Sequence, residues 1–418
     1  MTNILRTYWF RVKQFSPNAR LFLASVVITG AALGVYRLLF NFYVLSLNMN
    51  ANVAGQLQSV NSTTALILAV PMGYLADLLG RKRSLIIGGL VVCLSVIGMV
   101  IWPYKAAIFI MTIFSGAAQS LSAVTMSPFL IENSGEEERT YLFSLSSGVQ
   151  MTASFLGNSI GGNMPSWVAA HQGVSATGSA AYAGALVIVA VIALAGLLPF
   201  FFMKMPRLAK SERALFAPFA YATKQPVLLG KLIVPMLVTS IGAGLLMPFM
   251  NIFFRAVFNQ PDPVIGNLLA WGSLAMAIGL LIAPPIADRI GKIKLVVMTQ
   301  ALSIPFLAFL GYAPWFWLSG TAYYVRIALM NMSGPVYQTF VMEHVESDAR
   351  ATVASLVSMA SNFGWAFSPS ISGWLQVTYG FGPVFACVII LYSLSTFLYW
   401  KFFWGAKPVE LPEVSPAD

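Results

Sequence analysis

The sequence predicts an all-α integral membrane protein: twelve transmembrane helices in two six-helix bundles related by a pseudo-two-fold axis. Three observations predict it: a shortage of charge, a series of long apolar stretches between short polar breaks, and an internal repeat. Of 418 residues, 58% are hydrophobic and only 9% charged, and the mean hydropathy is +0.77. A water-facing domain carries about 25% charged residues, which keep its surface wet. The deficit here makes lipid the solvent. The stretches 84–101, 180–203 and 295–312 approach or reach the roughly 20 apolar residues that cross a bilayer as helix. They run continuously instead of alternating, which excludes a β-barrel.

Hydrophobicity and breakers place spans near 20–47, 53–78, 83–102, 106–133, 140–164 and 179–203. After a basic polar interval come 228–256, 263–288, 293–313, 316–343, 351–377 and 380–404. The expected organisation is therefore an N-terminal bundle over 1–203, a cytoplasmic basic linker over 204–227, a C-terminal bundle over 228–404 and a tail over 405–418. Such short connections leave no room for a sizeable soluble domain. The first span is read as a retained helix, because its apolar run is too long for a signal peptide and no convincing cleavage site follows. Cys93 and Cys387 fall inside spans without ligand-like neighbours, so neither a disulfide nor a metal centre is expected.

Of the 24 Lys and Arg residues, 20 fall on the side that holds both termini. By the positive-inside rule that side is cytoplasmic. A net charge of +10 then needs no nucleic acid, since basic residues line an anionic leaflet.

The repeat has an offset of 211 residues. ADLLGRKR at 76–83 returns as ADRIGKIK at 287–294, and Glu132, Arg139 and Gly162 map onto Glu343, Arg350 and Gly373. Gly34 and Asn41 are echoed by Gly244 and Asn251 at an offset of 210. Where charges are this scarce, matches in sign and spacing point to duplication of a six-span unit, and so to two bundles related by an axis along the membrane normal.

The segment GYLADLLGRKR at 73–83 resembles the signature loop of the major facilitator superfamily, and the resemblance covers essentially the whole chain. It implies a secondary transporter that moves a small solute by rocking one bundle against the other, needing no cofactor. Gly73 permits close helix approach and Gly80 a tight turn, while Arg81 anchors the loop. Asp77 is an acid at a helix C-terminus, where the macrodipole disfavours it, so it needs a partner. The resemblance implies one near Thr352 at the start of span 11, with Arg81, Glu132 and Arg139 completing a cytoplasmic gate. The second copy offers Asp288, Gly291, Glu343 and Arg350, with Pro284 in the place of Gly73.

No carboxylate lies near the middle of a span. Two arginines do. Arg37 and Arg326 each sit about 15 Å below the outer ends of spans 1 and 10, at 1.5 Å per residue. A guanidinium at that depth calls for an anionic partner, and a solute carboxylate or phosphate fits its fork; the alternative is snorkelling or bonding to backbone carbonyls. Asn41, Gln119, Asn251 and Asn331 are candidates to complete the cavity, although Asn and Gln within spans also serve as interhelical glue. Tyr36 and Trp365 are candidate aromatic walls.

Two marks of the superfamily's drug–proton antiporters are incomplete. TIFSG at 112–116 stands where they carry Arg-x-x-Gln-Gly, and GNSIGG at 157–162 keeps the glycines of Gly-Pro-x-x-Gly-Gly without the proline. The expected function is secondary transport of a small organic solute, anionic or amphiphilic. The alternative is proton-coupled export of neutral or cationic drugs. An enzyme is not expected: no Ser/His/Asp set and no phosphate-cradling Gly-Lys-Ser/Thr loop is apparent. Expected partners are the solute, membrane lipids and, as an open question, protons. The expected setting is a monomer in a bacterial plasma membrane.

Overall fold

Continuous apolar sequence forms helices that satisfy their own backbone hydrogen bonds, as a chain in lipid must. The computed structural model describes residues 15–204, 226–343 and 350–405, apart from the side chains of 136–141, 144, 342, 343, 350–352, 354 and 355. The spans are α1 (Pro17–Ser46), α2 (Ala51–Ile67 and Ala69–Leu79), α3 (Arg81–Ile101), α4 (Lys105–Glu132), α5 (Glu136–Gly161) and α6 (Ser179–Ala195 and Leu198–Phe201). They continue as α7 (Pro226–Leu246, then Met250–Phe258), α8 (Asp262–Ile290), α9 (Lys292–Tyr312), α10 (Phe316–Glu343), α11 (Arg350–Tyr379) and α12 (Phe381–Phe403).

Among the described residues, eight helices are long and apolar enough to cross a membrane unaided, and α2 makes a ninth. The remaining three, α5, α10 and α11, carry more polar side chains, and their place in the twelve is set by the bundle around them.

Local chemistry sets the ends and breaks. Ser16 Oγ accepts from Ala19 N at 3.2 Å and Pro17 follows, a paired start signal for α1. The two parts of α2 meet at 58° around Leu68. Pro71 accounts for the bend, because it lacks an N–H and its ring crowds the carbonyl of Ile67. α7 is interrupted by a 3₁₀ turn, Met247–Phe249, at Pro248. The turns before α3 and α9 are alike: Gly80 has φ +80° and Gly291 φ +95°, a region costly for residues with a Cβ.

Among the described residues, the two halves meet chiefly along three contacts. α1 meets α7, α2 lies along α11, and α5 lies along α8. The hydrogen bonds seen to join the halves run from the end opposite the termini, here called the far side, to mid-depth. They include Asn41 to Asn251, Tyr182 to Asp262, Ser370 to Ser59 and Thr63 to Ala366. On the terminus side the same faces part. The α2 stripe that begins at Thr63 continues to Ile67, Val70, Tyr74 and Leu78, all well exposed. On α8, Leu281 is 75% exposed. Among the described residues, the halves are closed on the far side and open on the terminus side.

Candidate functional site

Arg37 stands one helical turn from Asn41, toward the terminus side. Asn41 points at the other half, because its amide donates to Pro248 O at 2.6 Å and to Asn251 Oδ1 at 2.9 Å. Residues four apart share a helix face, so Arg37 faces the gap between the halves where they begin to part. It is exposed, and among the described residues its guanidinium has no hydrogen bond or ion pair. Tyr36 beside it is half-buried and stacks on Phe40 with ring centroids 5.1 Å apart.

Arg326 differs. It is 1% exposed, and all three of its guanidinium nitrogens lack a hydrogen-bond partner. Its Cζ lies 5.3 Å from the Tyr392 ring centroid on α12. That ring packs near Gly242 on α7, so Arg326 points into the C-terminal bundle. A cation–π contact offers about 2 kcal/mol where water is excluded, against a cost of about 3 kcal/mol or more for an unpaired guanidinium in the membrane. The structure thus places the two arginines in different surroundings, one accessible and one enclosed.

The other candidates also divide. Gln119 is exposed and bonds only to Ser115 on its own helix, at 3.0 Å. Asn331 is half-buried and donates to Ile327 O on its own helix, and Trp365 is half-buried. These three keep part of their polar or aromatic surface exposed. Asn41 and Asn251 do not in this state. They are 5% and 3% exposed and locked together: while Asn41 takes Pro248 O, Asn251 Nδ2 donates to Leu38 O at 2.8 Å. Leu38 and Pro248 are themselves 210 apart, so the clasp sits on the pseudo-two-fold relation between the halves.

At the terminus side the signature loop forms a charge cluster. Arg81 Nη1 donates to Asp77 Oδ1 at 2.7 Å and its Nε donates to Glu132 Oε1 at 3.0 Å. Asp77 thus finds its partner one turn on. Lys82 donates to Phe201 O and Met203 O, satisfying carbonyls at the end of α6. Gly73 has nothing within 4 Å of where a Cβ would stand, so it makes no close approach in this state. In the second copy Gly291 repeats the turn, and Asp288 is exposed without an ion pair among the described residues. The side chains of Arg139, Glu343, Arg350 and Thr352 lie outside the described set.

The sequence matches the profile of the Major Facilitator Superfamily over residues 21–369 and again over 232–417. The chain belongs to the Major Facilitator Superfamily. The resemblance carried by GYLADLLGRKR is therefore borne out, as is the expected fold. This superfamily member is 23% identical over 377 residues to the multidrug resistance protein MdtG of Salmonella paratyphi C, a match that spans 86% of this chain and 89% of MdtG. Among solved structures it is similar to a mutant form of the nucleoside transporter NupG, with a TM-score of 0.75 and 14% identity over 92% of this chain and all of that one. It is also similar to a bacterial homologue of the human lysosomal transporter Spinster, inward-facing and unoccupied. There the TM-score is 0.72 and the identity 11%, over 92% of this chain and 97% of that one. The protein is an integral membrane transporter of small molecules.

The residues that sequence reasoning passed over are Arg255 and Asp262, with Tyr182 and Phe42. Arg255 Nη2 pairs with Asp262 Oδ1 and donates to Tyr182 Oη at 2.7 Å, and its Cζ lies 3.3 Å from the Phe42 ring centroid. The signal available was two opposite charges seven residues apart, on a side with almost none.

Proposed function

We propose that this transporter carries a small organic solute bearing an acidic group, with Arg37 reading the acid from the N-terminal half in this state and Arg326, enclosed here, reading it from the C-terminal half once the bundles rearrange. The observation that carries this reading is the pair of mid-membrane guanidinium groups without a carboxylate partner among the described residues. A solute carboxylate or phosphate supplies the missing charge. Gln119, Asn331, Tyr36 and Trp365 line the path, and Asn41 and Asn251 become available to the solute when the far side opens.

The excess of basic residues on the terminus side makes that side cytoplasmic, so the structure is inward-facing, in the plasma membrane of a bacterium. In the opposite state Asp77, Arg81, Glu132 and Arg139, with Gly73 and Gly80 shaping the loop, close the cytoplasmic side. Asp288, Gly291, Glu343 and Arg350 form the weaker copy. The protein works as a monomer with bundles over 1–203 and 228–404, a basic linker between them and a cytoplasmic tail. A second reading, export of neutral or cationic drugs, is favoured by the similarity to MdtG.

Thermal unfolding of the purified protein with a panel of carboxylates, organic phosphates and lipophilic cations separates the two readings, because a ligand that binds the folded state raises its midpoint. An acid is expected to stabilise the wild type. Arg37→Gln and Arg326→Gln are each expected to weaken its binding roughly 10- to 100-fold, the loss of about 1.5–3 kcal/mol typical of a hydrogen bond to a charged group. Stabilisation by cations alone, or acid binding unchanged in both variants, overturns the anionic reading.

A further inference from the structure

The contact between α5 and α8 ends on the far side in a cluster drawn from four spans. Phe42 on α1 and Tyr182 on α6 come from the N-terminal half. Arg255 on α7 and Asp262 on α8 come from the C-terminal half. The ion pair therefore lies wholly within one half. What crosses between the halves is the guanidinium stacked on the Phe42 ring, at 3.3 Å, and the Tyr182 hydroxyl, which lies 2.7 Å from both Asp262 Oδ2 and Arg255 Nη2. Phe42 and Tyr182 are fully buried, and the Asp262 side chain is 11% exposed.

We propose that these four residues form the latch that holds the far side closed: the Arg255–Asp262 pair is a preassembled head that docks on the aromatic pair Phe42–Tyr182 of the other half. Asp262 is the positioning residue. By holding Nη2 it keeps the guanidinium over the face of the Phe42 ring, where a ring attracts a cation. Asp262 also opens α8, where the helix dipole favours an acid. That role stabilises its own helix, yet it does not explain why a hydroxyl from the other half is directed at it.

An ion pair split between the halves would have to be pulled apart each time the far side opened. Here the pair stays whole, and only the stack and the phenol contacts are given up. The latch is also one-sided. At the repeat offset Asp262 meets Ala51 and Tyr182 meets Ser393, so the seam between α2 and α11 has no counterpart.

The test measures far-side separation by spin-label distances in the full chain reconstituted in lipid nanodiscs. Labels go on Ser175→Cys and Gln260→Cys, one in each half, with exposed Cys387 replaced by alanine and buried Cys93 left in place. The closed population is expected to dominate in the parent. Phe42→Leu, which keeps apolar bulk but removes the ring face, is expected to raise the ratio of open to closed about five-fold. Phe42→Tyr, which keeps the face, is expected to leave the ratio near the parent's. Tyr182→Phe and Asp262→Asn are expected to move it in the same direction as Phe42→Leu. Equal distributions for Phe42→Leu and Phe42→Tyr overturn the stacking role. An unchanged ratio in Tyr182→Phe and Asp262→Asn, with unfolding midpoints like the parent's, overturns the latch.

Discussion

The seams that join the two bundles, α2 along α11 and α5 along α8, are copies of one contact that have since acquired different hardware. In the first, a Cβ on Gly55 would strike the carbonyl of Pro369, and one on Gly373 would stand 2.6 Å from the carbonyl of Ala51. In the second, a Cβ on Gly266 would stand 2.6 Å from the carbonyl of Asn158, and one on Gly162 2.6 Å from that of Asp262. Every pair maps onto its counterpart at the 211-residue offset: 55 with 266, 369 with 158, 373 with 162, and 51 with 262. Backbone meets backbone at equivalent places because both halves need a close approach there, and small residues permit it. The side chains that fasten the seams do not repeat. One seam is tied by hydroxyls, the other by the Arg255 head. Duplication preserved the geometry of closure and left its strength free to diverge.

The largest expected effect tests the shared part. Gly55→Ala and Gly266→Ala place a methyl against a carbonyl that belongs to a helix backbone and cannot swing aside. Such overpacking costs about 1–3 kcal/mol, so each variant should favour the far-side open state roughly 10- to 100-fold. The spin-label pair that reports the latch measures it directly. Similar shifts in the two variants confirm the equivalence of the seams, whereas a shift in only one breaks it.

A smaller effect is expected at the axis between the seams. Asn41 and Asn251 bond each other, and each takes the carbonyl that is the counterpart of the other's. Interhelical hydrogen bonds in membranes contribute about 0.6 kcal/mol on average, so the two of the clasp's three bonds in which each asparagine takes part are worth about 1 kcal/mol. Asn41→Ala and Asn251→Ala should each raise the open population about five-fold, and the double variant should add little further, because either change dissolves the same clasp. Fully additive shifts show instead that the two amides act separately.

The contrast explains what could be read from the sequence. Spans, repeat and loop were legible because charge is scarce in a chain solvated by lipid, so each acid, base and glycine carries information. Gly162 and Gly373 were visible as repeat partners, and Asn41 and Asn251 as an echo. That the two asparagines face each other was not, since a linear offset contains no symmetry axis. The depth of Arg37 and Arg326 followed from 1.5 Å per residue, but the direction of each side chain did not. On a helix that is apolar all round, hydrophobic pattern does not separate the bundle interior, where Arg326 meets Tyr392, from the gap that Arg37 faces. The latch was hidden for a different reason. Its partners Phe42, Tyr182 and Arg255 come from spans far apart in sequence, and nothing in the sequence sets Phe42 and Tyr182 apart from the other aromatics of their spans.

The smallest expected effect bears on how the seams work together. Thr63 Oγ1 donates to Ala366 O at 3.0 Å, and Ser370 N donates to Ser59 Oγ at 3.0 Å. Ala366 and Ser370 are one turn apart on α11, so two α2 hydroxyls fasten to a single turn of the opposite helix. Thr63→Val keeps the shape and removes one such bond, worth about 0.6 kcal/mol, and should raise the open population about threefold. The labels at Ser175 and Gln260 lie beside the other seam, which makes the readout decisive. If the bundles rock as rigid bodies, one equilibrium opens both seams, and loosening α2 from α11 must move labels placed near α5 and α8. Thr63→Val and Phe42→Leu share no partner, so their free energies should then add and their population shifts multiply, to about fifteenfold. If instead each seam opens by local bending, for which α2 already has a 58° break at Leu68, Thr63→Val leaves those labels unmoved.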